Sequence, residues 1–266
     1  MPTHRIGLNL VTIKGGREAD RLSQNLDCAR RAGFQGVGLW VSTIEQWLPA
    51  GRSVEQLARE VNSRGLEVHE LCFVPVLNEA GKVADQRRVF EWAAALAAPA
   101  VICIYGRPDN PLPKVRDDWA AFVGQVEDLG VAAAFEFIGA WKQYNSPLSA
   151  WEVIQAGPAL GTMVFDTFHF WRGGCKLGQI GQVPAGRISL VHLNDVNDVP
   201  REKAGDSDRT FPGEGVMPLK EILGKLFAGG FGGPLSVEIF GPAQQQDPDE
   251  VSRRAYIATA ALVESL

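Results

Sequence analysis

Histidine is scarce in this chain, with 4 in 266 residues. Cysteine is equally scarce: Cys28, Cys72, Cys103 and Cys175 lie far apart and form no C-x-x-C pair. That spacing excludes a disulfide frame and a cysteine-rich zinc site, and it predicts reduced, mostly buried thiols in a cytoplasmic protein. A basic surplus is also missing. The net charge of −5 predicts neither nucleic acid nor membrane as a partner, because both recruit through a basic face. No apolar run reaches the ~20 residues of a membrane-spanning helix. Residues 1–14 turn apolar only at Ile6 and carry no small-residue cleavage site, so no signal peptide is expected. No low-complexity tract and no Pro/Gly/Ser-rich linker interrupts the chain, so residues 1–266 read as one domain.

What recurs instead is a short apolar run. Such runs begin near Arg5, Gly36, Glu67, Ala100, Val131, Gly161, Arg187 and Pro234. The first six intervals span 26 to 33 residues and the last is 47. A strand with its following helix takes about 30 residues, so the pattern is a βα unit counted eight times. The intervening helices have legible ends. Ser53-Val54-Glu55-Gln56 is a capping box, and its helix closes at Gly65. Further helices are expected over Asp20–Arg31, Asp85–Ala98, Asp117–Leu129, Ser149–Ala156, Leu219–Phe227 and Glu250–Leu266. Strands that are apolar on both faces belong to a parallel sheet covered on both sides. Eight of them close into an α/β fold, a (β/α)8 TIM barrel. An open doubly wound sheet is the alternative; the count of eight and the lack of G-x-G-x-x-G after the first run speak against it.

Active sites of such barrels form at the carboxyl ends of the strands. Four runs stop there at a metal-competent side chain: Ala132-Ala133-Ala134-Phe135-Glu136, Val164-Phe165-Asp166, Ser189-Leu190-Val191-His192 and Leu235-Ser236-Val237-Glu238. Three carboxylates and an imidazole on consecutive strand ends make a ligand set for one divalent metal ion. Manganese, zinc, cobalt and magnesium all remain open. Each residue also has a plainer reading. Glu136 or Glu238 could pair with an arginine at the barrel mouth, Asp166 could cap a helix, and His192 could be a hydrogen-bonded core histidine. Their common position favours the metal.

His169 follows Asp166 by three residues. It could be a fifth ligand, a substrate contact or a surface histidine, and the substrate contact is favoured. The seventh unit is long, and its extra residues run from Asp195 to Gly215. A long βα loop on the active face usually binds substrate. Arg209 lies in it before a Pro-Gly-x-Gly turn, a placement that suits a substrate oxygen as well as a solvated loop charge. His69 and Glu70 follow Val68, and strand alternation turns one of the two into the barrel. Trp40, Phe73 and Trp141 are candidates for the pocket wall. Asp195 is expected to support the metal ligands from behind. His4 is given no role.

The motifs Phe135-Glu136-Phe137-Ile138-Gly139, Val164-Phe165-Asp166-Thr167-Phe168-His169-Phe170, His192-Leu193-Asn194-Asp195, Asp208-Arg209-Thr210-Phe211-Pro212-Gly213-Glu214-Gly215 and Ser236-Val237-Glu238-Ile239-Phe240 carry a resemblance. Over nearly its whole length the chain resembles the xylose-isomerase-like barrels of the sugar phosphate isomerase/epimerase superfamily. Within it the chain is most similar to the inosose (2-keto-myo-inositol) isomerases of inositol catabolism. The resemblance implies Glu136, Asp166, His192 and Glu238 as ligands of one divalent metal, and His169 and Arg209 as substrate contacts. Two positions depart from the pattern. Many relatives have a glutamate near the end of the second strand, where this chain reads Gly36-Val37-Gly38-Leu39-Trp40. An arginine is common after Ile239-Phe240, where this chain has Gly241.

The ligand set leads to an expected reaction. A metal that chelates a carbonyl and the adjacent hydroxyl acidifies the C–H between them. Glu136 and Glu238 are the candidate proton acceptor and donor. The expectation is a metal-dependent isomerase or epimerase of a small polyhydroxylated ketone, an inosose or a ketose with or without phosphate, working through an enediolate. A homo-oligomer is compatible with the sequence. Two other functions share parts of this pattern. An apurinic-site endonuclease shares the barrel but needs more histidines for its three-metal cluster, and a non-catalytic sugar-binding protein would not need all four ligands.

Overall fold

The computed structural model describes residues 5–76 and 82–266; His4 lies outside them. Eight parallel strands close into a barrel. They are β1 (Ile6–Asn9), β2 (Gly36–Trp40), β3 (Glu67–Val76), β4 (Ala100–Tyr105), β5 (Ala132–Glu136), β6 (Gly161–Asp166), β7 (Ile188–Leu193) and β10 (Leu235–Val237). Each pairs with its sequence neighbour in the barrel, and β10 closes it by pairing with both β7 and β1. A two-residue antiparallel ribbon, β8 (Asp195–Val196) with β9 (Arg209–Thr210), stands on the long seventh connection.

The apolar strands are explained by two separate interiors. Inside the barrel, Ala100, Ile102, Ala132, Ala134, Val164 and Leu190 pack with Cys72. The alternate residues, such as Val101, Phe135, Phe165 and Val191, face outward into the shell under the helices. Small side chains on β5 face inward because the barrel core has limited room. The cysteines are free, and three of them are buried.

The helices lie where the caps put them, with shifts of a few residues. They are α1 (Leu22–Ala32), α2 (Val41–Trp47), α3 (Val54–Asn62), α4 (Lys82–Ala95), α5 (Leu112–Gly124), α6 (Pro147–Ile154), α7 (Thr167–Arg172), α8 (Leu219–Ala228) and α9 (Pro248–Glu264). The Ser53 capping box forms as expected, with Ser53 and Gln56 exchanging bonds. The helix expected over Asp117–Leu129 starts earlier, at Leu112, and stops at Gly124. Pro at its first turn sets the start. Only a single 3₁₀ turn, Glu127–Leu129, carries the pattern on to Gly130. Helices α2 and α7 follow their strands without a loop; no side chain caps the start of α2, and Asp166 caps α7.

Strand β3 breaks the alternation. Val37 pairs with Val68, but Gly38 pairs with Glu70, so the register slips at His69. A bulge sets consecutive side chains on one side of the sheet. His69 packs where a Cβ on Gly7 or Gly36 would stand, and Glu70 where one on Gly38 would stand. Both therefore enter the barrel, where alternation allowed only one.

Candidate metal centre

The carboxyl ends of β5, β6, β7 and β10 bring four of the expected residues together. Glu136 ends β5, Asp166 ends β6, His192 is the fifth residue of β7, and Glu238 directly follows β10. One donor atom from each lies within 4.8 Å of all the others, and all four side chains are buried. His192 Nδ1 is 3.5 Å from Glu136 Oε1 and 3.4 Å from Glu238 Oε2. Neither His192 ring nitrogen has a hydrogen-bond partner. Three carboxylates and one imidazole with unused lone pairs are a donor set that fits a divalent cation.

Asp166 takes the helix-cap role weighed for it, and pairs with an arginine besides. Its Oδ1 caps α7 by accepting the His169 N–H at 3.0 Å. Its Oδ2 accepts from Arg209 Nη1 at 2.9 Å, and the same Nη1 reaches Glu238 Oε2 at 3.1 Å. The arginine pairing considered for Glu238 therefore exists as well. Arg209 is 3% exposed. Its guanidinium lies 4.7 Å from the Phe168 ring centre and 5.1 Å from that of Phe240, and Asp206 holds its outer edge. His169 is buried on α7, with Nε2 4.0 Å from Glu136 Oε1.

Charge follows from this packing. Burial alone would raise the Asp166 carboxyl, but Arg209, with His169 and His192 behind it, pulls it down to about 2. Burial, reinforced by Glu136 and Asp166, raises Glu238 to about 7 against the pull of His192 and Arg209. His169 is held neutral below its usual range, by burial first and by Arg209. Burial also disfavours charge on His192, but Glu238 and the surrounding acceptors outweigh it and raise its pKa.

A cavity of about 280 Å³ opens above these residues. Glu136, His169, His192, Arg209, Glu238 and Asp206 form its polar side. Trp40, Phe73, Ile102, Ile104, Ile138 and Phe240 form the other. Trp40 packs edge-on against Phe73 and Phe240. Trp141, also expected in the wall, does not line the cavity.

Asp195 does not back the ligands. Its two oxygens accept the N–H groups of Val196, Gly213, Gly215 and Met217 at 2.8 to 3.1 Å. It folds the Pro-Gly-x-Gly turn onto β8 and so supports the strand that carries Arg209. A Cβ on Gly215 would stand 2.4 Å from Asp195 Oδ1, which is why glycine is needed there. The residues behind the ligands are others. Asn194 Nδ2 reaches Asp166 Oδ1 at 3.4 Å and the Glu238 carbonyl at 3.2 Å. Asn9, at the end of β1, donates to Glu238 Oε1 and Glu70 Oε1 and takes the Trp40 indole N–H. An asparagine at a strand end reads as a turn, and only the barrel closure between β1 and β10 turns it into a neighbour of Glu238.

A closed eight-stranded parallel barrel with acid and imidazole donors at its carboxyl face defines a class of metal-competent TIM barrels. The chain belongs to the xylose isomerase-like TIM-barrel family, whose pattern it matches over residues 26–258. It is 28% identical over 192 residues to the inosose isomerase of Halalkalibacterium halodurans, covering 68% of each chain. It is 25% identical over 262 residues to the inosose isomerase of Bacillus velezensis, covering 92% of this chain and 93% of that one. Its fold matches the crystal structure of the IOLI protein with a binding zinc atom, at a TM-score of 0.88, 22% identity and 98% coverage of both chains.

Proposed function

We propose that the protein is a divalent-metal-dependent isomerase or epimerase of a polyhydroxylated ketone, an inosose or a ketose, working through an enediolate. The observation that carries this reading is the meeting of Glu136, Asp166, His192 and Glu238 around one point, with Glu136, His192 and Glu238 lining the cavity. These four residues would hold the ion. Bound there, it supplies Lewis-acid polarisation of a carbonyl oxygen. The ion remains open among zinc, manganese, cobalt and magnesium; the zinc of the IOLI structure supports the site, not the choice.

The chain's own part is proton transfer and orientation. Glu136 and Glu238 both lie beside His192 Nδ1 and serve as proton acceptor and donor at the carbon beside the carbonyl. Arg209 and His169 hold substrate oxygens. The aromatic side of the cavity receives the C–H face of a ring or chain. Among the described lining residues Arg209 is the one arginine or lysine, and three carboxylates already share it. That charge balance favours a substrate without phosphate.

Turnover tests the reading. Metal-loaded protein should interconvert an inosose or a ketose with its isomer, and a ketose phosphate more slowly. If protein that retains its metal converts none of them, a non-catalytic sugar-binding protein becomes the better description.

A further inference from the structure

Glu70 is not accounted for by the four ligands and the two substrate contacts. Its carboxylate is fully buried at 0% exposure, on β3. Oε1 accepts from Ser236 Oγ at 2.8 Å and from Asn9 Nδ2 at 3.2 Å. Oε2 has no hydrogen-bond partner. A buried carboxylate is costly unless a positive or donating group compensates it. The β3 bulge and the bare Cα of Gly38 make the space for this one, since a Cβ there would lie 2.0 Å from Glu70 Oε1.

What Glu70 faces is the far side of His192. The imidazole is bracketed between carboxylates. Nδ1 points at Glu136 and Glu238, while Nε2 lies 3.8 Å from Glu70 Oε1. Only one ring nitrogen of a neutral imidazole can offer a lone pair; the other carries the hydrogen. We propose that Glu70 is the positioning residue for His192: its carboxylate takes the Nε2–H and so keeps the Nδ1 lone pair aimed between Glu136 and Glu238. The inference rests on the reading that these residues hold a metal ion. A carboxylate behind a ligating histidine fixes its tautomer and strengthens it as a donor, and removing such a partner typically costs about 10–100-fold in metal affinity.

The test uses zinc, which leaves the protein diamagnetic. Long-range ¹H–¹⁵N correlation of the histidine rings in zinc-loaded wild type should show His192 carrying its hydrogen on Nε2. Glu70→Gln keeps the shape and removes the charge. Its zinc affinity, measured by competition with a chelator, should fall about 10–100-fold, and the His192 ring nitrogens should shift. Ser236→Ala removes one bond to Glu70 but leaves the carboxylate, and should bind zinc within a few-fold of wild type. A His192 hydrogen found on Nδ1 in zinc-loaded wild type would overturn the assignment without any variant. So would Glu70→Gln that binds zinc as tightly as wild type. Wild type that binds no zinc, manganese or cobalt would instead remove the metal reading itself, and Glu70 with it.

Discussion

At the scale of single residues, the site packs several functions into few side chains, and substitutions can separate them. Asp166→Asn keeps a good helix cap for α7 but removes a charge from the donor set. His192→Ala removes the imidazole. Both variants should lose most of the bound metal while remaining folded, and elemental analysis of purified protein checks it; unchanged metal content would remove the site. Glu238→Gln keeps the shape and removes a proton acceptor. Its rate at saturating metal should fall by about 10²–10⁴. Asp166 also predicts an acid limb. Its folded carboxyl lies near 2 against an ordinary value of 3.8. The stability it contributes is present above 3.8 and is lost as pH falls through about 2, on the order of 2 kcal/mol. Urea unfolding of metal-free protein across that window should show the loss in wild type and not in Asp166→Asn. The four donors were legible in the sequence because each ends an apolar run. Asn9 was not, and Glu70 was legible only as one of two residues that alternation could turn inward, because what gives them meaning is closure of β1 onto β10 and a bulge in β3.

At the scale of elements, the repeat of β-rich runs and the capped helices between them carried the barrel. The capping box at Ser53 starts α3 where it was read, but the helix ends at Asn62, short of Gly65. Helix α2 was missed for a physical reason: Trp40 passes straight from strand to helix with no Gly, Pro or capping side chain, whereas α7, equally loopless, was marked only by Asp166 as a possible cap. The ribbon of β8 and β9 is two residues wide, below what periodicity can show. Its support is Asp195, misread as a backing group for the metal because it lies three residues past His192. Asp195→Ala releases four backbone N–H groups of the loop. The expected outcome is faster amide exchange over residues 209–217 and a weaker hold on Arg209, with metal content preserved. Exchange as slow as in wild type would contradict this role. Gly139 makes a similar demand between β5 and α7. A Cβ there would come within 2.2 Å of the His169 carbonyl oxygen, which is backbone and cannot swing aside. Gly139→Ala should cost about 1–3 kcal/mol in unfolding free energy, the usual range for overpacking.

At the scale of the whole molecule, charge and cavity point the same way. The chain carries −5 overall, and its candidate site is lined by acids with one shared arginine. Such a surface does not gather a polyanion. Incubation with abasic duplex DNA and a divalent metal should give no incision; incision that vanishes in Glu238→Gln would restore the nuclease reading. The central claim is proton transfer at the carbon beside a carbonyl, and solvent label reads it most directly. Metal-loaded protein is incubated with an inosose in D₂O and followed by proton NMR. The account predicts that the isomer appears, that deuterium enters the carbon next to the carbonyl, and that Glu238→Gln slows both. Neither isomer nor label from any inosose or ketose, with the metal in place, would contradict it.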